Sequence, residues 1–336
     1  EQDNYRLTSE NVRLKFPLGL VGLTVSASVR TTDGSTVSDV LAISSLDNPA
    51  DLPSIEELKK KVKDFADNLM ELKETPMIEE YYTGPVLFEG GAASRLFTDN
   101  LLSPGRLLAL RTMAPARGML DEQLGRRIID SRLTVKNYTT LAEYNGTPLF
   151  GCYEIDGDGV VPAAELTLVE NGVFKRMLNG RVPTLKAPES TGSARFMISP
   201  DNPMAIVSPG TIHVQASKGV GPEKLKKALL KAAKEADLEY AYIVRRIGGE
   251  ASAVYKVNVK DGKETRVRVN NLSAPELTKL MDLKGISSDE RVMNYFPNGV
   301  PASLIYPSAI IVGDVEINRT TPKIEEEPVL KHPLQR

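Results

Sequence analysis

The stretch Gly84-Pro85-Val86-Leu87-Phe88-Glu89-Gly90-Gly91-Ala92-Ala93-Ser94-Arg95-Leu96-Phe97 limits the fold more than any other. Pro85 to Phe88 is a short apolar run of strand type. It breaks at Gly90-Gly91 into helical spacing that puts Leu96 and Phe97 inward. A strand that feeds a glycine-softened helix start requires a fold containing both kinds of element. It is also a natural place for a site, because first-turn N–H groups point outward unpaired. On spacing alone, the stretch reads as a plain strand-to-helix connection whose glycines allow close packing.

Upstream, residues 21 to 30 alternate strictly: Val21, Leu23, Val25, Ala27 and Val29 against Gly22, Thr24, Ser26, Ser28 and Arg30, a half-buried strand. Asp33-Gly34 marks a hairpin turn, with 37 to 43 as its return. Ser54 and Glu57 have the spacing of a capping box and open a helix to about Lys73. Its apolar face is Ile55, Leu58, Val62, Phe65, Leu69 and Leu72, and Lys59, Lys60, Lys61 and Lys63 fall mainly on the solvated side. Thr75-Pro76 closes it. Pro104-Gly105, Pro115 and Gly118 interrupt the next interval, and a domain boundary is placed there. Its Arg106, Arg111 and Arg117 read as ordinary surface arginines, with contact to a partner or a substrate carboxylate as the alternative.

Downstream, Leu133-Thr134-Val135 is strand-like, and Asn171-Gly172 between two alternating runs signals a hairpin. Asp156-x-Asp158 reads as a turn, since a calcium loop of EF-hand type would end in Glu where Thr167 stands. Residues 180 to 209 hold five prolines and little periodicity, a long loop. Thr211 to Ala216 is a strand carrying His213, read as structural. Pro222 opens a helix with Leu225, Ala228, Leu229, Ala232 and Ala233 inward. Strands follow at 240–247, 251–259 and 264–270. Ser273 with Glu276 suggests a second capping box, opening a helix to about Leu283.

With 336 residues the chain has room for about two domains. A net charge of −2 gives no electrostatic case for nucleic-acid binding. No apolar run approaches the roughly 20 residues that a membrane span needs. Cys152 is the single cysteine, so no internal disulfide is possible, and it reads as a small buried hydrophobe. His213 and His332 are the only histidines, which excludes a histidine-rich metal site within this chain.

Several of these blocks together resemble the TldD/PmbA (TldE) family, proteins assigned as zinc metalloproteases and also labelled modulators of DNA gyrase. In the catalytic TldD branch a strand runs into a His-Glu-x-x-x-His helix, whose histidines bind zinc and whose glutamate activates water. The resemblance sets Phe88 at the first histidine, Glu89 at the glutamate and Ala93 at the second histidine. A Glu at a helix start is also explained by the helix dipole. The best match is Tyr153-Glu154-Ile155-Asp156-Gly157-Asp158-Gly159-Val160 followed by Leu168-Val169-Glu170-Asn171-Gly172-Val173-Phe174-Lys175. Leu124 to Ile129 and Leu133 to Val135 resemble the family's entry into its C-terminal domain, although its Asp-Asp-Pro is replaced by Lys136-Asn137-Tyr138. Ser190-Thr191-Gly192-Ser193-Ala194-Arg195 resembles the family's Ser-Thr-Gly-x-x-Arg loop, and 300–312 its closing strands. The third zinc ligand of the catalytic branch is a cysteine near Tyr295 to Gly299, where this chain has none.

The expected fold is α+β: a small hairpin-plus-helix domain over 1–115, then a larger, mostly antiparallel β domain with a few helices over 116–318, and an extended tail over 319–336. The resemblance implies a non-catalytic TldE-like subunit that lacks the zinc ligands and helps bind and process small or unfolded peptides. Zinc is then expected in a TldD-like partner and not in this chain, with a homodimer as the other assembly. Glu89 is the one candidate catalytic residue. Ser190, Thr191 and Arg195 are candidates for binding a peptide backbone or carboxylate, against a loop simply rich in turn formers. Two alternatives stand beside this reading: an active peptidase using Glu89, His213 or Ser190 with non-standard ligands, and a peptide-binding module without a protease partner. The start at Glu1-Gln2-Asp3-Asn4, without Met, points to a processed chain or a fragment, and family members carry a further N-terminal segment. The family default is cytoplasmic, or periplasmic if an export signal preceded residue 1.

Overall fold

The structure, a computed structural model, describes residues 2–7, 11, 13–46, 48–110, 120–184, 186–198, 204–248, 251–269 and 272–318. Strands β1 (Gln2–Leu7) and β2 (Arg13–Leu18) pair antiparallel, as do β3 (Leu20–Arg30) and β4 (Thr36–Leu46). The second ribbon turns at Asp33-Gly34, where Gly34 takes φ 86°. Helix α1 (Ile55–Glu74) starts at Ser54 with both halves of the capping box formed. Its Phe65, Leu69 and Leu72 close over Val37, Val25, Val29 and Leu41 of the ribbon. A two-stranded ribbon is marginal by itself, so this helix supplies the burial that holds it. Ile55, expected on that face, lies outside the cluster and is 59% exposed.

There follow β5 (Tyr82–Glu89), α2 (Gly91–Leu101), β6 (Leu133–Tyr138), the short hairpin β7 (Glu143–Tyr144) and β8 (Thr147–Pro148), β9 (Glu165–Glu170), β10 (Val173–Phe174), β11 (Ala194–Phe196), β12 (Ala205–Val207) and β13 (Thr211–Ala216). Next come α3 (Pro222–Glu235), β14 (Tyr240–Arg246), β15 (Ala253–Asn258), β16 (Glu264–Val267), β17 (Gly285–Ile286), β18 (Glu290–Tyr295), β19 (Ala302–Pro307) and β20 (Ala309–Ile317). They build two six-stranded sheets, in the orders β10-β9-β6-β13-β19-β18 and β16-β15-β14-β5-β20-β17. Pairing is antiparallel except for β13 with β19 and β14 with β5. The α+β expectation agrees with this architecture.

The two sheets share one core. Val86 and Phe88 of β5 meet Val135, Ile212, Val214 and Leu304 of the other sheet, with Leu96 and Phe97 of α2 among them. On the far side of β5, Leu87 packs with Leu225 and Leu229 of α3. A central strand covered on both faces must be apolar at consecutive positions, which is what Val86-Leu87-Phe88 provides. Consecutive strands β19 and β20 belong to different sheets, and the chain crosses between them at Ser308. That residue is pinned there: its N–H donates to Asp289 O at 2.7 Å and its carbonyl accepts from Gly90 N at 2.9 Å.

The second capping box does not form. Glu276 itself is the cap residue, without a side-chain bond, and only a short 3-10 turn, Leu277–Leu280, follows. Pro275 disfavours helical backbone at Ala274, which works against a helix capped at Ser273. Cys152 is exposed and not buried. The long loop contains the β11–β12 hairpin. The division expected at residue 115, with Arg111, Pro115, Arg117 and Gly118, and the tail 319–336 lie outside the described residues. Strand β5, expected in the first part, pairs on both sides with strands of the second, β14 and β20.

Candidate functional site

At the β5–α2 junction Gly90 takes φ 54°, and a Cβ there would stand 3.0 Å from Nη1 of Arg291. Both constraints explain the glycine that ends the strand. Phe88 and Ala93 are fully buried in the core between the sheets. Glu89 is half-buried at the strand end, and Arg245 Nε donates to its Oε2 at 3.0 Å. Arg245 also donates through Nη2 to Glu264 at 2.8 Å, lies 4.4 Å from the Tyr255 ring centroid, and shares Glu264 with Lys226.

On the face of the β6-β13-β19-β18 sheet turned away from the shared core, His213 Nε2 lies 2.9 Å from Glu290 Oε1. Tyr144 of the β7–β8 hairpin hydrogen-bonds the other oxygen of Glu290, and Gln215 Nε2 lies 3.4 Å from His213 Nδ1. Burial pushes the Glu290 carboxyl up, but the bonds from His213 and Tyr144 outweigh it and hold the group below the usual range. The bond to Glu290, with burial added, pushes the Tyr144 hydroxyl up to about 12.

Ser190 and Thr191 line a groove of about 570 Å³ beside β9 and β10, together with Leu166, Phe174 and Lys186. Within the loop, Thr191 Oγ1 accepts from Asn179 N at 2.7 Å and donates to Asn179 O at 3.0 Å, while Ser190 Oγ accepts from Gly192 N at 3.1 Å. Arg195 does not reach this groove. It is 8% exposed, donates to the carbonyls of Pro209 and Pro301 at 3.1 and 3.2 Å, and stacks on Tyr153 at 4.0 Å. Burial pushes its guanidinium below the usual value. Glu89, His213 and Ser190 are thus each engaged with different partners, and their bonds do not join them into one constellation.

A two-sheet α+β domain with a strand-to-helix junction at its centre defines the class. Residues 81–319 match the PmbA/TldA metallopeptidase C-terminal domain, and the chain belongs to that family. Its fold is similar to that of TldE from Thermococcus kodakarensis, with a TM-score of 0.56 at 15% identity over 92% of this chain and 65% of that one. It is similar as well to a candidate modulator of a DNA gyrase from Thermotoga maritima, with a TM-score of 0.53 at 16% identity over 92% and 64%. A third such protein, from Bacteroides thetaiotaomicron, gives 0.54 at 15% identity over 92% and 63%. The chain therefore spans just under two thirds of the length of these structures. Comparison with curated protein sequences gives no match.

The family name implies a metal, and the donor set at the junction does not fit zinc. Zinc takes lone pairs from His, Cys, Asp or Glu side chains. Phe88 and Ala93 have none to give and are packed into the core. Residues 295–299 form the end of β18 and a 3-10 turn without a cysteine. Among the described residues no group of three His, Cys, Asp or Glu side chains is placed to hold a metal ion. The partners that sequence reasoning missed, Arg245, Glu290 and Tyr144, stand 156, 77 and 146 residues from the groups they bind. No local spacing signals contacts at such separations.

Proposed function

We propose that this chain is a non-catalytic, TldE-like subunit that pairs with a zinc-bearing TldD-like chain and helps hold the peptide which that partner cleaves. The observation that carries the reading is the β5–α2 junction. Where a zinc peptidase of this family would present two histidines, Phe88 and Ala93 sit wholly inside the core, and the remaining Glu89 is bound by Arg245. A glutamate that activates water needs a metal-bound water within reach and a free carboxylate oxygen. The first requirement is not met by this donor set, since Phe88 and Ala93 cannot hold the metal, and one of the two carboxylate oxygens of Glu89 is taken by Arg245. The groove with Ser190 and Thr191 on its wall is the surface assigned to the peptide in this reading.

Elemental analysis tests the reading, on the chain alone and after co-purification from the native host. No zinc in the isolated chain, with zinc and peptide cleavage in the co-purified complex, is the expected result. Zinc near one per chain in the isolated protein, or cleavage by the chain alone, overturns it.

A further inference from the structure

We infer that the groove beside β9 and β10 receives an extended, acidic stretch of polypeptide as an added strand on the free edge of β9. The inference deepens the peptide-holding reading by assigning a surface, a backbone geometry and a charge preference.

The open edge follows from the ladder. Thr139 N donates to Ala164 O at 3.1 Å, and Asn137 stands opposite Leu166. In an antiparallel pair, alternate residues turn both backbone groups to the partner and the residues between turn theirs away. Ala164 and Leu166 therefore face β6, while Glu165 and Thr167 direct their N–H and C=O outward. On that outward side β10 pairs with Val169 and Glu170, and Lys175 N and Arg176 N close on Leu168 O at 2.8 and 3.2 Å, so the open edge begins at Thr167. Glu165 and Thr167 have no backbone partner there among the described residues. An unpaired strand edge is a template for another extended chain.

The groove at this edge has an apolar floor, from Leu166, Phe174 and Ala163, and a cationic rim, from Lys175, Arg176 and Lys186. Among the described residues Glu189 is the single acid lining it, and Glu165 on the edge itself is paired with Lys136 at 2.6 Å. Lys175 is partly engaged by Glu170 at 3.2 Å, but Arg176 and Lys186 form no ion pair with a described residue. The whole chain carries a net charge of −2, so this local excess of positive charge is not the general background. A strand laid here places alternate side chains on the apolar floor and the intervening ones toward the rim. That geometry selects alternating apolar and acidic residues, with the charges adding attraction over distance.

The test is fluorescence anisotropy on the full chain with a labelled, capped hexapeptide alternating valine and glutamate. The comparison peptides are its valine–lysine counterpart and a version N-methylated at alternate backbone amides. The expected result is binding of the glutamate peptide at least about tenfold tighter than the lysine peptide, weakening as salt rises. The paired variant Arg176→Glu, Lys186→Glu should remove or invert the preference, and methylation of the edge-facing amides should abolish binding. Equal affinity for the two peptides, no binding of either, unchanged preference in the variant, or full binding of the methylated peptide each overturns the inference. Metal content and cleavage by the co-purified complex are read separately, so failure here leaves the subunit reading standing.

Discussion

Arg245 Nε lies 3.0 Å from Glu89 Oε2, and the same guanidinium reaches Glu264 at 2.8 Å. One cation thus links a carboxylate of β5 to one of β16 across the sheet that both strands belong to. If the chain is the non-catalytic subunit proposed above, Glu89→Gln should alter peptide cleavage by the co-purified complex less than about twofold, because Glu89 then acts as an ion-pair partner of Arg245. The cost in stability should stay below about 1 kcal/mol, because the pair is solvent-accessible. Cleavage rates and urea denaturation check both parts. A loss of cleavage of about a hundredfold would return Glu89 to a catalytic role.

Arg268 carries a larger share of stability. Its side chain is 3% exposed, and it ties the end of β16 to the β3–β4 turn through Asp33, with further bonds to Ser35 Oγ and Thr75 O at 2.9 Å each. Asp33→Ala leaves that buried cation without its carboxylate and should cost about 3 kcal/mol in a denaturant titration.

The same turn gives a pH dependence. Burial pushes the Asp33 carboxyl up, but bonds from Thr31 and Ser35 and the charge of Arg268 hold it far below its ordinary value. A group depressed on folding stabilises the protein above its unfolded value, about 3.9, and loses that contribution as pH falls toward the folded value. Stability measured from about pH 5 down to about 2 should fall more steeply in the native protein than in Asp33→Asn.

Tyr144 fastens the β7–β8 hairpin to the sheet through Glu290. Tyr144→Phe removes that bond and should cost about 1 kcal/mol. Hydrogen exchange should speed up in residues 143–148 while the β13–β19 strands keep their protection. Uniform loss of protection across the sheet would show that the contact does more than hold the hairpin.

Two glycines of similar backbone separate conformation from space. Gly172 has φ +78° and a Cβ there would meet Ile129 O at 2.5 Å, whereas Gly125 has φ +81° with nothing within 4 Å. Gly125→Ala should cost about 1 kcal/mol, from backbone conformation alone. Gly172→Ala should cost more, about 3 kcal/mol, because backbone must move to admit the methyl. Equal midpoint shifts in chemical denaturation would contradict the difference.

Much of the framework is legible in the chain's local patterns. The alternation over 21–30 does make a strand, although Leu23 and Ala27 of its expected inner face stay exposed, and the Ser54–Glu57 box and the Asn171-Gly172 turn form as the sequence states them. The Ser273–Glu276 pair has the spacing of a box, but the proline between the two residues works against it. The Ser-Thr-Gly-x-x-Arg motif suggests Arg195 as a binding group. Packing instead surrounds it with the carbonyls of Pro209 and Pro301, the latter 106 residues away. Ser190 and Thr191 do line a groove, yet nothing in the order of residues marks Arg176 and Lys186 as cations of the same surface.

Residue identity alone fixes what stands at the strand-to-helix junction, and so that Phe88 and Ala93 offer no lone pair to a metal. It also fixes the periodicities that make strands and helices, because those depend on neighbours a few positions apart. Three-dimensional packing made the other choices. It parts β19 and β20 into different sheets at Ser308, closes Arg245 on Glu89, and brings His213 to Glu290. Those outcomes depend on which distant surfaces bury each other, a choice made collectively by the shared core and written in no local pattern.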